Sequence, residues 1–174
     1  MHPLHSFRYC PVCGSEHFVE NNFKSKKCVH CGFVYYFNSS AATAIFITNK
    51  EGELLVVRRA KEPAKGSFDL PGGFVDMHET AEEAIIREVK EETNLQISQP
   101  QYLFSLPNIY CYSGFDVHTV DLFYQYSTDT FSELHAGDDA EALFIMKKNE
   151  IHPEKFGLDS IRRAVEMWSE TTLV

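Results

Sequence analysis

Apolar residues along much of the chain fall in short runs of the length of β-strands, and one of these runs, 118–127, alternates through Val120, Leu122, Tyr124 and Tyr126. The predicted strands are 41–48, 54–59, 68–74, 96–106, 118–127 and 140–146, and the main predicted loops between them are 107–114 and 131–139. Polar residues 49–52 lie between the first two strands, which are therefore expected to form a hairpin. The chain after residue 40 is predicted to be rich in short strands.

Two segments switch to the helical period. Thr80 and Glu83 have the spacing of a capping box, which predicts a helix that begins near Thr80. Asn94 can adopt the left-handed conformation that ends a helix. A second amphipathic helix is predicted at 158–168. Mixed strands with two helices indicate an α+β fold, an α/β/α sandwich with one helix on each face of a mixed sheet.

The first helix carries three glutamates on one side. At about 100° of rotation per residue, Glu88, Glu91 and Glu92 fall inside an arc of roughly 100°. Like charges at these spacings repel each other, so a bound cation would stabilise the helix. A solvated acidic face is the common explanation for such a run, but Glu92 lies beside Ile85 of the apolar stripe. Carboxylates that border the core favour a divalent-metal site.

Length and charge restrict the class of protein. The 174 residues suffice for one domain of ordinary size with a small appendage. The net charge of -9 disfavours nucleic acid as the main partner, and residues 1–40 carry +2, which leaves -11 on residues 41–174. No stretch approaches the roughly 20 apolar residues of a membrane span, and no secretory signal is evident. We expect a cytoplasmic protein without a membrane partner.

Four of the five cysteines form two C-x2-C pairs, separated by fourteen residues and each followed by glycine. They are Cys10, Cys13, Cys28 and Cys31. This spacing predicts a ribbon around structural tetrahedral Zn²⁺, and a segment of about 40 residues is too small to fold well without such a staple. With four thiolates available, His30 is interpreted as a turn residue. The predicted domains are a zinc ribbon over 1–40 and a second domain over 41–174.

The ribbon also contains four basic residues and a group of aromatic residues, Phe23, Phe33, Tyr35 and Tyr36, that could contact a partner. They permit nucleic-acid binding, but packing of the ribbon on the second domain explains them as well and is the favoured interpretation. The fifth cysteine, Cys111, is expected to be a small buried or half-buried side chain.

A second pattern surrounds the acidic helix. Gly73, Glu79, the segment Arg-Glu-Val-Lys-Glu-Glu at 87–92 and Asn94-Leu95 have the spacing of the Nudix box, so that the chain resembles the Nudix hydrolases. Every defining position agrees except the penultimate glycine, here Asn94. The two cysteine pairs before it are similar to the zinc ribbon of NADH pyrophosphatases. However, Ser-Leu-Pro-Asn-Ile-Tyr at 105–110 departs from their Ser-Gln-Pro-Trp-Pro-Phe-Pro-x-Ser signature.

The resemblance implies a set of metal ligands. Glu88, Glu91 and Glu92 would bind Mg²⁺ or Mn²⁺ together with the carbonyl of Gly73. Arg87 would form an ion pair with a glutamate of the box, for which Glu79 is the candidate. Glu141 matches a glutamate that is a metal ligand or base in several Nudix groups, and it fits a surface carboxylate equally well.

The implied activity is hydrolysis of a diphosphate linkage in a nucleoside diphosphate joined to another group, such as NADH or ADP-ribose. Arg58 and Arg59 point to opposite faces of their strand, so only one can face a cleft and bind phosphate. Phe68, Tyr110 and Tyr112 could stack on a base or simply pack.

The expected partner is therefore a small nucleotide, and a homodimer is left open. The alternative function is a Nudix domain that binds nucleotides without hydrolysis and acts, with its ribbon, as a sensor or nucleic-acid-binding module. The complete acid set of the box favours the enzyme.

Overall fold

A computed structural model describes residues 2–132, 134–137 and 140–170. The strands are β1 Phe18–Asn22, β2 Ser25–Cys28, β3 Val34–Tyr36, β4 Ser40–Thr48, β5 Leu54–Arg59, β6 Phe68–Asp69, β7 Gly72–Phe74, β8 Gln101–Tyr112, β9 Phe115–Ser127 and β10 Ala140–Met146. The helices are α1 Ala81–Thr93 and α2 Asp159–Glu170, with short 3-10 turns at Pro3–Ser6, Lys148–Glu150 and Pro153–Lys155.

The larger sheet is mixed and has the strand order β10-β5-β4-β9-β8, with β6 paired to β5 and β7 paired to β4. β4 and β9 are parallel from Ser40↔Thr119 to Thr48↔Ser127, and the other pairs are antiparallel. The predicted β4–β5 hairpin pairs only at Thr48↔Leu54. β7 occupies the same edge of β4 farther along, so that the two strands of the hairpin diverge.

Both faces of β4 are buried, each under one helix. Phe46 packs with residues of α2, whereas Ile45 and Ile47 pack with Ile85 and Val89 of α1. This two-sided burial agrees with the apolar run in the sequence, since a strand covered on both faces need not alternate. The predicted sandwich with a helix on each face of a mixed sheet is confirmed.

Helix α1 begins and ends where its sequence predicts. The Thr80 hydroxyl accepts a hydrogen bond from the Glu83 N–H, and the Glu83 carboxylate accepts one from the Thr80 N–H. Asn94 ends the helix with φ of 63° and donates its N–H to the carbonyl of Lys90. The Lys90 ammonium donates to the Asn94 side chain at 2.7 Å. Local interactions therefore mark both termini of α1.

The segment predicted as a loop at 107–114 is instead mostly strand. β8 continues through Tyr112, and the turn contains only Ser113 and Gly114. Pro107 is tolerated because β8 is the edge strand and pairs on one side only. Cys111 is exposed, so the expectation of a buried or half-buried thiol was wrong. Its position near the end of an edge strand leaves its side chain open to solvent.

The four cysteines of the two C-x2-C pairs converge. Sγ atoms of Cys10 and Cys31 are 3.7 Å apart, and those of Cys13 and Cys28 are 3.6 Å apart. These separations are far longer than the roughly 2.05 Å of a disulfide. All four sulfur atoms lie within 4.8 Å of one another and could hold a metal ion. β1, β2 and β3 form a small antiparallel sheet beside this cysteine cluster.

The ribbon packs on the larger sheet through different aromatic residues from those predicted. Phe33 and Tyr35 pack within the ribbon, whereas Phe23 is 80% exposed and Tyr36 is 48% exposed. The contact with the larger sheet is made by Phe7 and Phe37. Phe7 precedes the first cysteine pair and Phe37 follows the second, so that both lie where the ribbon meets the larger sheet. No helix in the described ranges is long and apolar enough to cross a membrane.

The cap at Asn94 gives a direct test of the helix terminus. Asn94→Ala should lower the free energy of unfolding by about 1 kcal/mol, because alanine is disfavoured in the left-handed region. Asn94→Gly should remain within about 0.5 kcal/mol of the parent protein, since glycine adopts this conformation readily. Urea denaturation followed by circular dichroism measures both. Equal losses in the two variants would show that the conformation at Asn94 is unimportant.

Candidate nucleotide and metal site

A cleft of about 580 Å³ opens beside the glycine pair that precedes α1. It is lined by the predicted site residues Gly73, Glu88, Glu92, Arg59, Tyr110 and Tyr112. It is also lined by polar or aromatic residues that the sequence did not single out, namely Asp69, Phe74, Asn108, Thr119 and Asp121. The cleft is therefore lined both by carboxylates from α1 and by tyrosines from β8.

The glycine pair allows β7 to approach both β4 and α1 closely. A Cβ atom at Gly72 would lie 2.1 Å from the carbonyl oxygen of Thr43, and one at Gly73 would lie 2.4 Å from Oε1 of Glu88. The N–H of Gly72 donates to Oε2 of Glu92 at 3.1 Å. Two carboxylates of the acidic face are thus held against backbone, where no larger residue fits.

Arg87 binds three of the surrounding carboxylates. Its Nε and Nη2 atoms donate to the two oxygens of Glu79 at 2.8 and 2.9 Å, a bidentate ion pair. Its Nη1 atom donates to Glu88 at 2.8 Å and to Glu91 at 3.2 Å, and Nη2 also donates to the carbonyl of Phe74. One guanidinium group therefore offsets much of the repulsion among the acids of α1.

This ion pair changes the acidity of both partners. Hydrogen bonds from Arg87, and then the N–H of Asp76, lower the pKa of Glu79 to about 2. The same contacts, chiefly the hydrogen bonds to Glu79, raise the pKa of Arg87. Glu79 thus remains ionised at every pH at which the protein is expected to function.

The three glutamates of α1 that are predicted metal ligands differ in their exposure. Glu88 and Glu92 are half-buried, whereas the side chain of Glu91 is 59% exposed. Among the described residues, only the cysteine cluster brings three or more ligand atoms within 4.8 Å of one another. The glutamates do not, since Arg87 bonds Glu88 and Glu91 while Glu92 bonds Gly72.

The donor chemistry nevertheless fits a hard divalent cation. Carboxylates and backbone carbonyls are the oxygen ligands that Mg²⁺ and Mn²⁺ prefer. Glu88 and Glu92 line the cleft together with Gly73, and the missing Cβ of Gly73 leaves space that the Glu88 carboxylate occupies. The residues present therefore suit the metal that the sequence pattern implies.

The two arginines of β5 lie on opposite faces, and only Arg59 lines the cleft. Its donors bond Asp69 at 2.5 Å, the Tyr110 hydroxyl at 3.1 Å and the carbonyl of Pro63 at 2.8 Å. Burial raises the pKa of Asp69 even though Arg59 opposes the shift. Arg59 is therefore engaged in fixing the cleft wall, which includes Tyr110.

Three of the predicted site residues, Arg58, Phe68 and Glu141, lie away from both the cleft and the ion pairs of Arg87. The Arg58 guanidinium is 4.8 Å from the ring of Phe144 and 5.9 Å from that of Phe68, so both Arg58 and Phe68 belong to a packed cation–π cluster. Glu141 is exposed at a bulge in β10. None of these three is among the described residues that line the cleft.

Asp121 is the main polar residue that sequence reasoning missed. It is buried and accepts hydrogen bonds from Thr119 at 2.5 Å, Asn108 at 3.1 Å and Ser160 of α2 at 2.5 Å. The available signal was a threonine and an aspartate at alternate positions of the predicted strand, on the face opposite Val120 and Leu122. Asn108 was hidden because its segment was predicted to be a loop.

The segment that follows β9 covers the end of α1. The N–H of Gly137 donates to the carbonyl of Glu92 at 2.8 Å, and that of His135 donates to the carbonyl of Thr93 at 3.0 Å. A Cβ atom at Gly137 would lie 1.9 Å from the carbonyl oxygen of Glu91. These contacts satisfy carbonyl groups at the helix terminus and fix the backbone that carries Glu91 and Glu92.

The arrangement of glycine pair, acidic helix and cleft matches a known family. The family model for the NUDIX domain matches residues 38–166. The chain belongs to the NUDIX domain family. Its predicted Nudix box, from Gly73 to Leu95, carries Glu88 and Glu92 of the cleft.

Named relatives of this Nudix chain include two kinds of hydrolase. It is 35% identical to an ADP-ribose pyrophosphatase from Methanocaldococcus jannaschii over 123 residues. This aligned region covers 70% of each chain. It is 29% identical over 106 residues to the NAD-capped RNA hydrolase NudC from Vibrio parahaemolyticus, which covers 61% of this chain but only 40% of the relative. A NUDIX hydrolase structure from Nitrosomonas europaea covers 94% of the chain with a TM-score of 0.72 and 20% identity, which supports the fold.

The lowered pKa of Glu79 predicts a specific pH dependence of stability. A carboxylate with a folded-state pKa of about 2 stabilises the fold above its ordinary pKa of 4.5, and this stabilisation is lost as the pH falls towards 2. Glu79→Gln should therefore be less stable than the parent at pH 7, and the difference should shrink at pH 3. Denaturant unfolding at several pH values measures this, with Glu51→Gln in an exposed turn as control. A difference independent of pH would contradict the ion pair.

Proposed function

We propose that this protein hydrolyses the diphosphate linkage of a nucleoside diphosphate joined to another group, with ADP-ribose as the first candidate. The observation that carries the proposal is the half-buried pair Glu88 and Glu92 at the Gly72–Gly73 backbone, in a cleft that tyrosines also line. Relatives named as an ADP-ribose pyrophosphatase and an NAD-capped RNA hydrolase support the same bond class. The enzyme is a Nudix pyrophosphohydrolase.

The proposed metal ligands are Glu88, Glu91, Glu92 and the carbonyl of Gly73. When Mg²⁺ or Mn²⁺ is bound, it neutralises phosphate charge and lowers the pKa of a coordinated water. The residues of the chain prepare this site in advance, because Arg87 and the Gly72 N–H orient the carboxylates. Glu79 in turn fixes Arg87 through the bidentate ion pair.

In the proposed reaction, a water oxygen forms a bond to phosphorus while the bridging P–O bond breaks. The water proton passes to a carboxylate, for which the box glutamates are the proposed bases and Glu141 the alternative. The bridging oxygen leaves with the second phosphate. Tyr110 and Tyr112 are placed to stack on the base or sugar-linked group, and Phe74 lies 5.7 Å from Tyr110 and extends the same aromatic wall.

We also propose that the cysteine cluster binds structural Zn²⁺. A tetrahedron with Zn–S bonds of about 2.3 Å has edges of about 3.8 Å, close to the Sγ separations of 3.6 and 3.7 Å. We further propose two domains, the ribbon over 1–40 and the Nudix domain over 41–174. The protein is proposed to be cytoplasmic, with a small nucleotide as its partner.

Replacement of one cleft glutamate tests the enzyme directly. Glu92→Gln should reduce turnover by about two orders of magnitude or more, because it removes a metal-binding charge without altering shape. The assay is Mg²⁺-dependent phosphate release after phosphatase treatment, over ADP-ribose, NADH, dinucleoside polyphosphates and nucleoside triphosphates. Glu166→Gln on the exposed face of α2 is the matched control, and circular dichroism verifies the fold.

Two outcomes of that screen would contradict the proposal. Turnover in Glu92→Gln equal to that in the parent would exclude the acidic face as the reacting site. Nucleotide binding without hydrolysis of any compound in the parent protein would favour a sensor instead of an enzyme.

Metal content tests the ribbon separately. Freshly purified protein should contain about one zinc per chain, as four thiolates complete a tetrahedral site. The double variant Cys13→Ser and Cys31→Ser should lose it, because both cysteines belong to the cluster. Elemental analysis by mass spectrometry gives the ratio, and Cys111→Ser is the control. A ratio well below one in the parent, or unchanged zinc in the double variant, would contradict the site.

A further inference from the structure

The hairpin of β8 and β9 extends beyond the rest of the larger sheet. β4 begins at Ser40, which pairs with Thr119, so residues 115–118 of β9 and 109–112 of β8 have no third strand beside them in the described chain. An isolated two-stranded hairpin is only marginally stable in water. The end of this hairpin therefore needs support from outside the sheet.

This unsupported end carries the two tyrosines that line the cleft. Tyr110 has contacts of its own, since its hydroxyl accepts from Arg59 at 3.1 Å and its ring lies 5.7 Å from Phe74. The side chain of Tyr112 is different. It is 61% exposed, and no ring or hydrogen-bond partner for it is found within the described residues. Its position depends on the backbone of the hairpin.

The turn places Tyr112 opposite Phe115. Ser113 and Gly114 have φ of 52° and 75°, the positive values that a type I′ turn requires at both central residues. Tyr112 and Phe115 pair directly, so their side chains lie on the same face of the hairpin. A contact that fixes Phe115 also fixes the strand pair that carries Tyr112.

The ribbon supplies that contact. The ring of Phe7 stacks on Phe115 with centroids 5.8 Å apart and planes inclined by 16°. The ring of Phe37 lies 6.5 Å from that of Phe115 and 5.9 Å from that of His118. Phe7 in turn packs on the cluster formed by Cys10, Phe18 and Cys28. Packed side chains thus connect the cysteine cluster to the end of the hairpin.

We propose that the ribbon supports the nucleotide cleft and that Phe115 is a positioning residue for nucleotide binding. Through Phe115, the cysteine-held ribbon keeps the projecting hairpin ordered and presents Tyr112 to the ligand. The inference rests on the proposed function, which assigns the tyrosines to the substrate. It predicts an effect on affinity and not on the chemical step, because the box glutamates are carried by α1.

Amide hydrogen exchange tests the support itself, without any substrate. Phe115→Ala and Phe7→Ala remove the stack from either side, Phe115→Tyr keeps the ring, and Phe23→Ala is the matched control on an exposed ribbon aromatic. Exchange of residues 107–120 should be about tenfold faster in the two alanine variants of the stack and unchanged in the other two. Equal exchange in Phe115→Ala and Phe23→Ala would overturn the proposal.

Binding of ADP-ribose tests the consequence. Measured without added divalent cation, so that turnover does not occur, the dissociation constant should rise about tenfold with Phe115→Ala and remain unchanged with Phe23→Ala or Phe115→Tyr. In the active protein, KM should rise about tenfold while kcat changes less than about twofold. Unchanged affinity despite faster exchange, or a lower kcat at unchanged KM, would overturn the positioning role.

The two proposals can fail separately. Wild-type protein that binds ADP-ribose but hydrolyses none of the screened nucleotides contradicts the enzyme, while the exchange and binding measurements still decide the role of Phe115. No binding of ADP-ribose to the wild-type protein, with or without Mn²⁺, contradicts the nucleotide cleft and, with it, both proposals.

Discussion

The ion pairs of Arg87 are the interaction on which the rest of the site depends. Three glutamates share one side of α1, and two of them lie at the border of the core, where repulsion is poorly screened. Arg87 offsets this repulsion and is itself oriented by Glu79. The glycine pair then allows β7 to lie against the carboxylates. A cluster of acids in this position is therefore compatible with a stable fold before any cation binds.

The buried carboxylates of the cleft are likewise paired with hydrogen-bond donors. Buried Asp69 is paired with Arg59, and buried Asp121 accepts from Thr119, Asn108 and Ser160. Unpaired, either carboxylate would carry a large desolvation penalty. Their partners come from four different segments, so that these interactions join α2 and the sheet around the cleft. Arg59 therefore stabilises the wall of the cleft through its contacts with Asp69 and Tyr110.

Features fixed by near neighbours were predictable from the sequence. The capping box at Thr80, the left-handed cap at Asn94 and the cysteine spacing each depend on a few adjacent residues. The strand nature of 107–112 was not predictable, because it depends on pairing with β9 and on an edge position that tolerates Pro107. The docking of the ribbon through Phe7 and Phe37 likewise depends on a distant partner, Phe115. Exposed Phe23 and Tyr36 resembled docking residues only because the sequence does not show which way they point.

The central claim is that the acidic face of α1 is a divalent-metal site even though Arg87 bonds two of its glutamates. Titration of Mn²⁺ followed by electron paramagnetic resonance tests this without reference to any substrate. Wild-type protein with its cysteine cluster filled by zinc should bind at least about one further Mn²⁺ per chain, and Glu88→Gln combined with Glu92→Gln should abolish that binding. Mn²⁺ binding that is identical in the two proteins would contradict the account.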